Sequence, residues 1–152
     1  MNIGTLKSKC ILNTTSVSNQ KKCLFDINIK VSPVINGDGT HSRDFTYIDN
    51  VIQANLLALS TENKEALNQV YNVAYGERTT LNDLMTSLIK HLSKYDKKIG
   101  EMKVTHGPER FGDVPHSLAS IDKAKKYLGY KPEYSLDKGL QEAITWYKNN
   151  LK

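Results

Sequence analysis

Two short segments hold the residues best suited to chemistry. The first runs Asn36-Gly37-Asp38-Gly39-Thr40-His41-Ser42-Arg43-Asp44-Phe45, and the second runs Arg110-Phe111-Gly112-Asp113-Val114-Pro115-His116-Ser117. Each sets an arginine and an aspartate beside glycine. Glycine lets backbone approach a ligand closely, and loops carried on a scaffold can converge polar side chains on it. A guanidinium fork suits a diphosphate, and a carboxylate suits ribose hydroxyls. The plainer reading is that Arg43–Asp44 and Arg110–Asp113 are ion pairs that stabilise two loops. Spacing alone leaves both open.

Arginine is scarce, which gives its placement weight. Only Arg43, Arg78 and Arg110 occur, against 18 lysines. Lysine is the ordinary solvated cation, whereas arginine is favoured where a planar fork grips phosphate or carboxylate. Arg78 is the weakest of the three candidates, a surface residue on the plainer reading. The net charge of +5 comes from scattered lysines and not from arginine clusters interleaved with aromatics, so no nucleic-acid partner is expected.

Other chemistries find little support. Cys10 and Cys23 are too few for a zinc site, which takes four ligands in tight pairs. Without an export signal they are expected to be free thiols in a cytoplasmic chain. No strand leads into a Gly-x-Gly-x-x-Gly turn. The nearest string, Gly37-Asp38-Gly39, has Ser42 where the third glycine belongs, and no P-loop is present. Tyr127–Lys131 and Tyr134–Lys138 spell Tyr-x-x-x-Lys. Proton transfer needs that pair one helical turn apart so that the lysine lowers the tyrosine pKa. Gly129 interrupts the first, and the second straddles a helix start, so neither is read as catalytic. His41 and His116 flank the arginine loops and are given no role.

The elements that must position these loops are mixed. The chain has 152 residues, 39% of them hydrophobic, with a mean hydropathy of −0.49. No apolar run reaches the ~18 residues of a membrane span, so no membrane partner is expected. Val34-Ile35 is a short apolar run closed by the turn Asn36-Gly37-Asp38-Gly39. Residues 44–48 alternate and predict a strand, after which Asp49 caps a helix through Val51, Ile52, Leu56 and Leu59. Residues 70–74 are rich in β-formers and predict another strand, closed by Gly76. Thr80 opens the best helix: Leu81, Leu84, Met85, Leu88, Ile89 and Leu92 form one continuous apolar stripe. Residues 102–105 predict a strand and 106–115 a loop. Ser120 caps a short helix stopped by Gly129 and Pro132, and Ser135 caps a final one through Tyr147. The fold class is therefore α/β or α+β. Residues 1–32 are poorly specified, although Ile27, Ile29 and Val31 alternate as a short strand would.

Taken together, these residues resemble the C-terminal half of extended short-chain dehydrogenase/reductase nucleotide-sugar epimerases. The resemblance rests on Pro33-Val34-Ile35-Asn36-Gly37-Asp38-Gly39 and on Ser42-Arg43-Asp44-Phe45-Thr46-Tyr47-Ile48-Asp49-Asn50-Val51. It continues through Tyr71-Asn72-Val73-Ala74 with Thr79-Thr80-Leu81, then residues 110–117, Leu128-Gly129-Tyr130-Lys131-Pro132, Gly139-Leu140 and Trp146-Tyr147. It is nearest to the UDP-N-acetylglucosamine 4-epimerase group. It implies that Arg43 and Arg110 hold a UDP diphosphate, that Asp113 meets the uridine ribose, and that backbone around Val34 and Asn36 faces the uracil. Ser117, four residues after Asp113, would line the hexose pocket, where a small residue leaves space for an N-acetyl group.

The same resemblance says what is lacking. Such enzymes carry an NAD-binding half, with the glycine fingerprint and proton-transfer residues, ahead of these segments. None of that is spelled here. The expectation is a poorly specified segment 1–32 followed by a UDP-sugar-binding portion, 33–152, with no cofactor site in this chain and NAD in the parent family. Such a portion would be inactive alone and would either meet a cofactor-binding partner half or self-associate. A non-enzymatic remnant or interaction module that keeps the lobe fold is the alternative.

Overall fold

The computed structural model describes residues 32–150. The expectations for 1–31, including both cysteines and the alternating strand, lie outside the described residues. Two small sheets and four helices make up the described residues. Strand β1 (Val34–Asn36) runs parallel to β4 (Thr105–Gly107), with Ile35 opposite His106. Strand β2 (Ser42–Arg43) runs antiparallel to β3 (Thr79–Thr80), with Ser42 opposite Thr80. The helices are α1 (Ile48–Ser60), α2 (Leu81–Leu92), α3 (Asp122–Leu128) and α4 (Leu136–Asn150). Single 3₁₀ turns lie at Lys64–Ala66 and Lys97–Glu101. The mixed α/β class read from the sequence holds.

The α2 start follows its sequence. Thr80 Oγ1 accepts the Asp83 N–H at 3.1 Å and donates to Asp83 Oδ2 at 2.6 Å, so one side chain satisfies a backbone donor that the first helical turn leaves open. Leu84, Met85 and Leu88 of the stripe are buried against Ile35, Ile99 and Ile144. This core joins β1 to α2 and α4. A second core gathers Ala54 of α1, Ala66, Tyr71, Ala74, Ile121, Ala124, Leu128 and Tyr130. Its two buried tyrosines keep their hydroxyls satisfied, Tyr71 by Ala66 O and Tyr130 by Ala74 O, each at 2.9 Å. Helix α3 ends as expected at Gly129, whose φ of 68° is left-handed.

Several local expectations are corrected. Residues 44–48 are not a strand: pairing stops at Arg43, because Asp44 turns its carboxylate to the backbone N–H groups of Tyr75 and Gly76. Tyr47, not Asp49, is the N-cap residue of α1, without a side-chain bond; Asp49 falls in the first turn, where its charge meets the helix dipole favourably. Residues 70–74 pair with no strand among the described residues, and Tyr71 and Ala74 serve the core instead. The strand expected at 102–105 begins only at Thr105, because β1 offers three residues and its register spends them on 105–107. Residues 106–107 of the expected loop accordingly belong to β4.

Helix α1 turns four large apolar residues outward. It buries Asn50 and Ala54, while Ile48, Ile52, Leu56 and Leu59 are 47–70% exposed. Their spacing of four, four and three residues makes a continuous apolar ridge on the outer face. No helix among the described residues is long and apolar enough to cross a membrane.

A buried imidazole ties α2 to α4. His91 Nε2 donates to Asp137 Oδ1 at 2.8 Å, with Lys90 Nζ 3.8 Å from the same oxygen. The His91 bond, aided by the charges of His91, Lys90 and Lys94, holds the Asp137 carboxyl below its ordinary value. A group with a lowered folded pKa adds stability above its unfolded value, and that stability is lost as pH falls through the folded one. Asp137→Asn should therefore flatten the acid limb of a denaturation midpoint-versus-pH curve below about pH 4. An unchanged limb in urea melts between pH 6 and pH 2.5 would refute this.

Candidate functional site

Strand β1 leads straight into the first glycine turn. The Gly37 N–H donates to Gly107 O at 3.0 Å, continuing the pairing with β4. Gly37 and Gly39 then take φ of 77° and 80°, a region that disfavours side chains. Asp38 closes the turn by accepting the N–H and hydroxyl of Thr40 at 2.9 and 2.7 Å, and those two bonds hold its carboxyl below the ordinary range. The start of α2 pins the turn from outside. Asn82 donates its amide to Asp38 O at 3.0 Å and its backbone N–H to Gly39 O at 3.1 Å, and it faces His106 Nε2 at 3.1 Å. A side chain at Gly39 would collide with Asn82. Val34 and Asn36, the nucleoside-facing candidates, are exposed on β1.

The second glycine loop lies along β2. The Ser42 N–H donates to Pro115 O at 2.9 Å, and the Ser117 N–H donates to Ser42 O at 3.1 Å. This is a parallel bridge with Ser42 opposite His116. Ser42 is thus flanked by β3 on one side and residues 115–117 on the other. Successive side chains alternate across a strand, so Ser42 and His116 share one face while Arg43 and Ser117 share the other. Arg43 strengthens the seam by donating from Nη1 to Ser42 O at 2.8 Å and Pro115 O at 3.3 Å.

Neither ion pair of the plainer reading forms among the described residues. Arg43 serves backbone carbonyls. Asp44 accepts the Tyr75 N–H at 3.2 Å and the Gly76 N–H at 3.0 Å. Burial pushes the Asp44 carboxyl above its ordinary value against the pull of those bonds. Arg110 and Asp113 meet only through backbone, Asp113 N–H to Arg110 O at 3.3 Å, in a turn where Gly112 has φ of 83°. Arg110 is exposed and Asp113 half-buried.

The structure therefore brings Arg43 and Ser117 onto one face and hangs Arg110 and Asp113 on the exposed end of the same loop. Val34 and Asn36 sit on the other sheet, linked to β2 through the glycine turn. Three positioning residues were missed in the sequence: Asn82, Ser42 and Asp44. Only Asn82 left a signal, a polar residue two positions after the Thr80 cap. In the second Tyr-x-x-x-Lys string, Lys138 Nζ lies 4.0 Å from the Tyr134 ring centroid, where it serves as a cation over an aromatic face.

Residues 15–143 match the family described as GDP-mannose 4,6 dehydratase. The chain belongs to this family. The match begins upstream of Pro33. A putative UDP-glucose 4-epimerase of Methanocaldococcus jannaschii is 37% identical over 120 residues, covering 78% of this chain and 35% of that protein. UDP-glucuronate 4-epimerase 2 of Arabidopsis thaliana is 35% identical over 124 residues, 75% of this chain and 27% of that one. Among solved structures, UDP-N-acetylglucosamine 4-epimerase from Methanobrevibacter ruminantium, in complex with UDP-N-acetylmuramic acid, superposes with a TM-score of 0.72 at 34% identity. It covers 86% of this chain and 39% of its own. UDP-glucose 4-epimerase of Thermotoga maritima, solved with UDP-glucose, gives 0.71 at 33% identity over the same shares.

This member of the family thus spans about a third of the length of the curated relatives it matches, and it carries the C-terminal portion of the extended short-chain dehydrogenase/reductase epimerase fold. The described residues do not form the glycine turn of an NAD cradle. Among the described residues the glycines of positive φ lie at 37, 39, 76, 112 and 129, and none opens a helix directly after a strand, as dinucleotide binding requires.

Proposed function

We propose that this chain is the UDP-sugar-binding, C-terminal part of an NAD-dependent UDP-N-acetylhexosamine 4-epimerase-like protein of the cytoplasm, inactive as an isolated chain. The observation that carries the reading is the Ser42–His116 bridge, with Arg43 and Ser117 on one face and the Arg110 loop attached. Arg43 and Arg110 supply guanidinium groups for a diphosphate, Asp113 a carboxylate for ribose, and the β1 backbone near Val34 and Asn36 a polar edge for uracil. Likeness to epimerases solved with UDP-linked sugars supports the ligand class. The exposed α1 ridge suits a surface that a cofactor-binding half, or a second copy, would cover.

The sugar follows from Ser117. A bulky residue there would exclude an N-acetyl group by overlap, whereas serine permits it. Two measurements test the reading. Calorimetry with the purified chain should show UDP binding and no turnover of UDP-hexoses; absence of UDP binding would favour the remnant or interaction-module alternative. In a fusion that restores a cofactor-binding half, Ser117→Tyr should abolish turnover of UDP-GlcNAc and UDP-GalNAc and spare UDP-glucose and UDP-galactose. Equal loss on both classes, or no change on either, would remove Ser117 from the role of gate.

A further inference from the structure

We infer that Ser42 and His116 form a positioning clasp that sets the spacing between Arg43 and the Arg110–Ser117 loop, an inference that rests on the nucleotide-binding reading above. Ser42 Oγ and His116 Nδ1 share a hydrogen bond of 2.9 Å across 74 residues of chain. Ser42 is buried while His116 is exposed. In the neutral ring with its proton on Nε2, the hydroxyl donates and Nδ1 accepts.

The clasp is needed because the seam is so short. Strand β2 has two residues, and residues 115–117 reach it through only two backbone bonds, both to Ser42. The loop beyond has little else to hold it: Arg110, Phe111, Gly112 and Val114 are all exposed. Beside these bonds and that of Arg43 Nη1 to Pro115 O, a side-chain bond at the same residue pair adds a further fixed point and restricts the rotation of segment 115–117 about its axis. By strand alternation the clasp lies on the face opposite Arg43 and Ser117. His116 therefore acts through the loop it orients and not by touching the ligand. Because the loop carries Arg110, the diphosphate should feel the clasp, and the uracil end, held by β1 and Asn82, should not.

That division gives a readout that general destabilisation would not produce. In titrations of the purified chain, His116→Ala should weaken UDP about tenfold and uridine, whose ribose meets Asp113 of the same loop, by clearly less. His116→Asn, whose Oδ1 takes the place of Nδ1, should restore most of the loss. Ser42→Ala should match His116→Ala, and the double variant should be no worse than either, as expected of two groups in one interaction. Equal weakening of UDP and uridine, or additive losses, would overturn the clasp. A second arm needs no ligand: amide exchange at Ser117 should quicken in His116→Ala while Lys125 in α3 keeps its rate. If the unaltered chain binds no UDP, the nucleotide-site reading falls. Faster exchange at Ser117 would still support the clasp, and unchanged exchange would sink it.

Discussion

Arg43→Ala should weaken UDP binding by about two orders of magnitude. Two effects combine. On the proposed reading the guanidinium would supply charge-assisted donors to a diphosphate, worth about 1.5–3 kcal/mol when one partner is charged. It also bonds Pro115 O, so its removal loosens the loop that carries Arg110 and Ser117. A hundredfold loss corresponds to about 2.8 kcal/mol, which the first effect covers almost alone. Nη1 is spent on the two carbonyls, so a diphosphate would take its bonds from Nη2 and Nε. Arg43→Lys keeps the charge but loses the fork, so it should recover only part of the affinity, to about tenfold below the unaltered chain. An unchanged dissociation constant for Arg43→Ala in calorimetry would place the phosphates elsewhere.

The largest effect on stability should come from Asn50→Ala. Asn50 is 1% exposed and joins α1 to the entry of α4. Its Nδ2 donates to Tyr134 O at 2.8 Å, and its Oδ1 accepts the N–H groups of Glu133 and Tyr134 at 3.0 Å each. Alanine would strand one carbonyl and two N–H groups together. An unsatisfied buried polar group costs about 1–3 kcal/mol, so a loss of about 3 kcal/mol or more is expected. For a chain of this size that lowers the melting temperature by roughly 6–12 °C. Asn50→Asp keeps both acceptor contacts and should cost less. Asn55→Ala, on an exposed position of the same helix, should change stability by under about 0.5 kcal/mol. Equal melting temperatures for Asn50→Ala and Asn55→Ala would contradict the role given to Asn50.

What the sequence could determine was whatever depends on near neighbours in the chain. The 3.6-residue stripe of α2 and its Thr80 cap are local, and they fold as spelled. So does the stop at Gly129, since left-handed backbone suits glycine wherever the chain goes next. The turn at 37–39 is local for the same reason. The family-level pattern also lay in the residues themselves, in short ordered motifs that need no coordinates to compare.

What depends on distant partners was decided only in three dimensions. Residues 70–74 have strand composition, but a strand exists by pairing, and among the described residues no ladder forms there. The 44–48 alternation predicted a strand for the same reason and failed because Asp44 found backbone donors 31 and 32 residues away. On α1 the apolar residues mark a helix but not which side is covered, and packing buries Asn50 and Ala54, the asparagine meeting the backbone groups of residues 133–134. The nearby charges in each loop suggested ion pairs, whereas the fold gave Arg43 to carbonyls and Asp44 to N–H groups. The pairing of Ser42 with His116, separated by 74 residues, has no trace in local spacing. It arises because a two-residue strand with neighbours on both sides places these residues opposite each other, and that register puts Arg43 and Ser117 together on the remaining face.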